Sequence, residues 1–335
     1  MMIAIPFVLL LLYMARYYTL KHEYQELNKE YNIIMIEEKH LKGLDNEPIK
    51  TNKKPTPKSI NPNLPPCYFN MLSIGMKGSG KTYSLVKLIK LYEKYPFYDH
   101  EGHKLNLRVI LFCPTAHSTA NPIYETLKDL DEDDVVLDYS DEKLLAKLHD
   151  IETEKIDIEQ WKEYLKAWKR YEAIEENINL LLPHELEILN KYDFTHPKDV
   201  KNKPLYKYPR INILIFDDLV SDSSAFKRGH SALNHLCIKH RHLQCNLIFT
   251  TQYIKAIPPV IRRNIDLFIL FKFANSHSVL EQIYPEVSGI ITEDNFIEIF
   301  EYSTRHKNDC LIIDNTSGSE YKFKKNWDTA LILQV

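Results

Sequence analysis

The chain has 335 residues, 44% hydrophobic and 27% charged, which fits one large globular domain with appendages or two modest domains. A net charge of −3 leaves no global field for nucleic acid, so any such affinity must come from local basic patches. Five cysteines (Cys67, Cys113, Cys237, Cys245, Cys310), scattered and without a C-x-x-C pair, exclude a disulfide framework and read as reduced thiols in a cytosol-like compartment.

The chain opens on an apolar run, Met1 to Met14, followed by Arg16, Tyr17 and Tyr18. It is shorter than the ~20 residues that cross a bilayer comfortably, and it lacks the positive leader of a secretory signal. Lysines on its C-terminal side would keep the remainder in the cytoplasm if it inserts. A membrane anchor, an interfacial anchor, an oligomerisation helix and an unused upstream start all remain open for residues 1–15. Residues 21–47 are charged, with Leu27, Tyr31, Ile34 and Met35 at helical spacing. Residues 48–66 carry Pro48, Pro55, Pro57, Pro62, Pro65 and Pro66, and are expected to form an extended linker. Residues 67–335 form the remaining domain.

That domain begins with an apolar stretch, Cys67 to Ile74, which reads as a strand. It runs into Gly75-Met76-Lys77-Gly78-Ser79-Gly80-Lys81-Thr82, which fits G-x-x-x-x-G-K-[ST] at every fixed position. Leu85, Val86, Leu88 and Ile89 then fall at helical spacing from Tyr83 to Tyr92. Strand, glycine loop and helix in that order mark a P-loop. Its glycines let backbone N–H groups turn inward onto phosphates at the positive end of the following helix. Lys81 is placed to reach the β- and γ-phosphates of ATP and Thr82 to ligate Mg²⁺. Lys77 is a further cation inside the loop.

Leu105 to Cys113 reads as a second buried strand and Asp134 to Leu137 as a short one. A helical insertion is expected over about 141–210. Asp141 to Leu182 is its long helix, with Trp161, Tyr164, Trp168, Tyr171, Ile178 and Leu182 on one face. Packing of that face within its own domain is the favoured reading over docking to a neighbouring subunit. Asn212 to Phe216 is an apolar strand ending in Asp217-Asp218, a Walker B arrangement. Asp217 is expected to hold Mg²⁺ and Asp218 to orient or deprotonate the attacking water. Phe226 to Leu243 reads as a helix, entered through a basic stretch to His230 that is a candidate phosphate-contacting loop. Histidines 230, 235, 240 and 242 lie near Cys237 and Cys245, but their spacing argues against zinc.

Asn246 to Thr251 is a further strand, ending at Gln252, the candidate γ-phosphate sensor if this strand lies between the two Walker strands. Arg241, Arg262 and Arg263 are candidates for stabilising transition-state charge, in this subunit's site or a neighbour's. Ile265 to Phe271 reads as a strand, Val279 to Tyr284 and Asn295 to Phe300 as short helices, and Cys310 to Ile313 with Tyr321 to Lys325 as a terminal hairpin. Apolar strands alternating with helices imply an α/β fold with a mainly parallel sheet covered on both faces.

Gly75 to Thr82, Ile213 to Asp218 followed by Leu219, Arg241-His242 before Asn246 to Gln252, and Pro258 to Asn264 together resemble the genome-packaging ATPases of large nucleocytoplasmic DNA viruses, virophages and polinton-like elements. Those belong to the FtsK–HerA superfamily. The resemblance covers about residues 68–273. It implies an ASCE, RecA-like P-loop NTPase fold, ATP with Mg²⁺, double-stranded DNA as cargo and a homo-oligomeric ring. It also implies Gln252 as the sensor and an arginine completing a neighbour's site. Capsid or membrane-associated viral proteins would be further partners, in the host cytoplasm or virion. One departure is Asp218, where the superfamily usually has Glu. A membrane-anchored conjugative-type coupling ATPase, a small-molecule P-loop kinase (against which the Asp-Asp and distal Gln pattern argues) and a nucleotide-gated scaffold without turnover are the alternatives.

Overall fold

The computed structural model describes residues 16, 55–114, 116, 126–127, 130–217, 231–273, 275–316 and 321–332. The chain divides into two compact units, Met1–Lys53 and Lys54–Val335. Of the first, Arg16 is described, as an exposed helical residue. The expectations for residues 1–15 and 21–47 therefore fall outside the described residues. No helix among the described residues is long and apolar enough to cross a membrane.

The second unit is built on a nine-stranded sheet. In chain order the strands are β1 (Lys58–Ser59), β2 (Asn70–Ile74), β3 (Phe97–Tyr98), β4 (Lys104–Leu105), β5 (Leu107–Phe112), β6 (Leu130–Val136), β7 (Ile211–Phe216), β8 (Cys245–Thr251), β9 (Leu267–Phe271), β10 (Cys310–Asp314), β11 (Phe323–Lys325) and β12 (Thr329–Leu331). The helices are α1 (Lys81–Lys94), α2 (Asp141–Ala173), α3 (Pro183–Lys191), α4 (Ala232–Lys239), α5 (Pro259–Arg262), α6 (Ser276–Val287) and α7 (Glu293–Ser303). The large sheet runs β12-β11-β10-β9-β2-β8-β7-β5-β6, and β1, β3 and β4 form a small separate one. From β9 to β6 every pairing is parallel, whereas β10, β11 and β12 add an antiparallel flank. This is the α/β architecture expected, with the terminal hairpin extended by β12.

Because side chains alternate along a strand, the apolar strands feed two cores. Leu72, Phe112, Phe216 and Phe249 enter one face, under Leu233 and Leu236 of α4 and Phe296 and Phe300 of α7. Met71, Leu111, Ile215 and Ile248 enter the other, under Leu85, Leu88, Ile89 and Tyr92 of α1. Register places Phe112, Phe216 and Phe249 side by side, with ring centroids 5.0 and 5.1 Å apart. The residue after each phenylalanine therefore reaches the strand ends in step, on the α1 face. At β6 a buried ion pair closes the sheet. Arg108 donates to both carboxylate oxygens of Asp134 at 2.8 and 2.9 Å. Burial works to raise the Asp134 pKa, but the Arg108 and Lys147 hydrogen bonds and charges outweigh it and hold the carboxyl below its ordinary value.

Two expectations need correction. The proline-rich stretch is no free linker over its second half: Ser59 Oγ donates to Tyr95 O at 2.8 Å, Tyr92 Oη to Pro65 O at 2.8 Å and Lys324 Nζ to Asn63 O at 3.0 Å. Prolines that exclude helix can still pack, and Leu64 is buried. The long helix also stops at Ala173 rather than Leu182. Glu175 and Glu176 take left-handed backbone, with φ of 52° and 61°, and the chain turns into α3. Trp161, Tyr164, Trp168 and Tyr171 then pack within the domain, against Leu189, Tyr192 and Phe194, as favoured. Ile178 and Leu182 lie off that seam, at 48% and 43% exposure.

Candidate functional site

The glycine loop joins β2 to α1 at the end of a central strand. Gly75 N–H donates to Thr251 O at 3.2 Å, tying the loop to β8. A Cβ on Gly75 would lie 2.6 Å from Phe271 Cβ and from Ser79 Oγ, so no side chain fits there. Gly80, with φ of 101°, caps α1 in a conformation that L-residues avoid. Lys81 Nζ folds back and donates to Gly75 O at 2.8 Å and Met76 O at 3.0 Å. The first turn of α1 carries no acidic side chain and no side-chain cap. Its N–H groups thus face the loop's concavity under the positive end of the helix dipole. The buried Ser79 hydroxyl has no hydrogen-bond partner among the described residues. A cradle of glycines, open amides, an orphaned hydroxyl and an ammonium suits a polyphosphate.

β8 separates β2 from β7, so the loop and the Walker B strand are not neighbours. Asp217, 4% exposed, follows β7 on the α1 face. Thr250 Oγ1 donates to its Oδ1, and Cys113 Sγ lies 3.7 Å from its Oδ2. These are the residues that the phenylalanine row brings into step. Ser73 on β2 pairs in register with Thr250, and its buried hydroxyl also lacks a partner among the described residues. A polar row of Ser73, Thr250, Asp217 and Cys113 thus crosses four strand ends beside the glycine loop. Gln252 follows β8, half-buried, between the glycine loop and the Asp217 strand. Asp218 and the basic stretch 226–230 lie outside the described residues.

The structure places the three arginines elsewhere. Arg241 Nη2 donates to Asp266 Oδ1 at 2.8 Å. Asp266 Oδ2 in turn accepts from Asn70 N at 2.9 Å, at the start of β2. The stretch from Arg262 leads into β9 at the same edge, where Asn70 Nδ2 donates to Asn264 O at 2.9 Å. All three therefore sit at the edge where strands begin, about 16 Å of strand from the glycine loop that follows Ile74. Strand direction alone requires this, since Arg241 precedes β8 and Arg262 and Arg263 precede β9. In this chain all three lie across the sheet from its own glycine loop.

Residues not anticipated do reach the loop. β10 returns antiparallel to β9, with Cys310 opposite Phe271. The connection before it thereby brings exposed Asn308 beside the glycine loop, following exposed Arg305, His306 and Lys307. The position of a Cβ on Gly80 is 3.2 Å from Asn308 Cβ. Lys272, exposed just after β9, adds a cation on this edge. Nothing in the sequence marked Asn308 for this place, and only the antiparallel return brings it here.

The chain has the α/β fold of a P-loop NTPase. No known family profile matches it. An uncharacterised protein, 075L, of Invertebrate iridescent virus 6 is 31% identical over 121 residues, 34% of this chain and 45% of that protein. The chain thus matches less than half the length of that curated relative. Among solved structures, the genome packaging NTPase B204 of Sulfolobus turreted icosahedral virus 2 with ATP-gammaS is 17% identical. That match covers 80% of this chain and 98% of B204 at a TM-score of 0.41. EssC (ATPases 2 and 3) from Geobacillus thermodenitrificans is 18% identical, over 64% of this chain and 34% of EssC, at a TM-score of 0.36. At identities this low the likeness extends to no residue's role.

The histidine and cysteine cluster forms no metal site among the described residues. His240 Nδ1 bonds to Cys237 O at 2.9 Å, and burial lowers the His240 pKa. Burial also pushes the Cys245 thiol up to about 12, the range of an inert core residue.

Proposed function

We propose that the chain hydrolyses ATP with Mg²⁺ and uses the energy to move double-stranded DNA, as the packaging motor of a viral genome. The observation that carries the hydrolytic part is the shared strand-end edge: a phosphate cradle on β2, a buried carboxylate on β7, and β8 between them. Gly75, Met76, Lys77, Gly78, Ser79 and Gly80 wrap the phosphates. Lys81, now on the Gly75 and Met76 carbonyls, exchanges those bonds for β- and γ-phosphate oxygens. Thr82 and Asp217 would hold Mg²⁺, which would supply charge neutralisation at the phosphates. Thr250 and Cys113 orient the Asp217 carboxylate as outer partners do for a metal ligand. Asp218 positions and deprotonates the attacking water, and Gln252 contacts the γ-phosphate.

DNA as cargo rests on the motif resemblance over residues 68–273. With all three at the far edge of the sheet, Arg241, Arg262 or Arg263 would take part from a neighbouring subunit in a homo-oligomeric ring. Steady-state ATP hydrolysis by the full chain, with and without double-stranded DNA, tests the reading beside Lys81→Ala and Asp218→Asn. Turnover that rises with DNA and is lost in both variants supports it. Turnover indifferent to DNA sinks the motor, and ATP binding without turnover favours a nucleotide-gated scaffold.

A further inference from the structure

Phosphates seated on Gly75–Thr82 leave the nucleoside to be placed, and a cavity of about 250 Å³ lies directly alongside, on the flank of α1. Tyr83, Ser84 and Lys87 of α1 form one wall, Lys307 and Asn308 a second, and Trp327 of the β11–β12 turn a third. Its floor is fixed. Trp327 Nε1 donates to Ser84 O and Ser84 Oγ, both at 3.0 Å, locking the turn to the helix. Asn326 accepts from Cys310 N and donates to Asp309 Oδ1, both at 3.1 Å, so its amide is already used. Asp309 also takes Lys325 Nζ at 2.9 Å. The rim is open by contrast. Tyr83, adjacent to the loop's Thr82, is 64% exposed, and Asn308 is exposed beside Gly80.

An aromatic ring held next to a phosphate loop is a stacking platform for a base. A carboxamide carries one acceptor and one donor side by side. Adenine presents the complementary pair, an amino donor next to a ring-nitrogen acceptor, whereas the matching edge of guanine shows two acceptors. We propose that this cavity is the nucleobase subsite, in which the Tyr83 ring stacks on a purine and the Asn308 amide selects adenine. The inference rests on the phosphate-loop reading above. Asn308 holds a left-handed backbone, φ 67°, which makes glycine the fair replacement.

Equilibrium binding of ATP, GTP and inorganic tripolyphosphate to the full chain separates the possibilities. The wild type is expected to prefer ATP to GTP. Tyr83→Ala should weaken ATP by roughly tenfold or more, the scale of a lost base stack, and Tyr83→Phe should restore it. Asn308→Gly should bring ATP and GTP to equal affinity. Tripolyphosphate should bind all four proteins alike. The inference is overturned if Tyr83→Ala and Asn308→Gly keep wild-type ATP affinity, if tripolyphosphate weakens in parallel with ATP, or if the wild type holds GTP as tightly. A wild type that binds none of the three defeats the phosphate-loop reading, and the inference with it.

Discussion

The two edges of the central sheet are made from the same strands and built to opposite ends. Where the strands begin, side chains tie neighbouring segments together: Arg241 with Asp266, Asp266 with Asn70 N, and Asn70 Nδ2 with Asn264 O and Cys237 O, although Asn70 Oδ1, His240 Nε2 and Arg262 Nε lack partners among the described residues. Where they end, the buried Ser73 and Ser79 hydroxyls lack partners among the described residues, glycines replace side chains, and a lysine rests on backbone carbonyls. Cross-links between segments stiffen a fold, whereas a concave loop of glycines and open amides at a helix N-terminus suits an anionic ligand. The contrast between cross-linked segments and an open glycine loop separates a structural edge from a candidate ligand-binding edge.

The largest effect that would sharpen this contrast is at the ligand edge. Lys81→Ala should cut steady-state ATP turnover by roughly 10²–10³-fold, the scale of losing a preorganised charge donor, with little change in melting temperature. At the structural edge, Asn70→Ala should cost about 2–3 kcal/mol in urea denaturation, because two carbonyls lose their buried donor. Its turnover per folded molecule should stay at the wild-type value, and a selective loss of turnover would break the comparison.

Between these lies a pH effect. The Asp134 carboxyl has a folded pKa below its unfolded value of about 4. Its contribution to stability is therefore fully present above pH ~4 and is lost as pH falls through the lower folded value. Urea midpoints measured from pH 6 down to pH 3 should drop less steeply in Asp134→Asn than in the wild type. The smallest effect belongs to Arg241→Ala. The arginine side of its ion pair is largely exposed, so the stability loss should stay under about 1 kcal/mol. If Arg241 acts in a ring, any fall in turnover should appear only at protein concentrations that support assembly.

Much of the ligand edge was legible because it is written in contiguous residues. Gly75 to Thr82 and Ile213 to Asp217 each carry their own strand and their own chemistry, and apolar runs specified the parallel strands between the two cores. What sequence could not show depends on contacts between distant segments. Thr250 and Cys113 look like ordinary strand-end residues until register sets them on Asp217. Asn308 meets Gly80 only through the antiparallel return of β10. The end of α2 at Ala173 has no glycine or proline to announce it, since the left-handed turn is taken by Glu175 and Glu176. The arginines are a different case, because their placement follows from strand direction and was available in principle.

Two aspartates of the same size stand at the opposed edges, and neutralising each in turn tests the account most directly. Melting temperature and ATP turnover per folded molecule should be measured together for Asp217→Asn and Asp266→Asn. The account predicts that Asp217→Asn loses turnover and keeps its melting temperature, while Asp266→Asn melts earlier and keeps its turnover. The reverse pattern, or equal loss of both properties in both variants, would contradict the division of the sheet into a binding edge and a structural one.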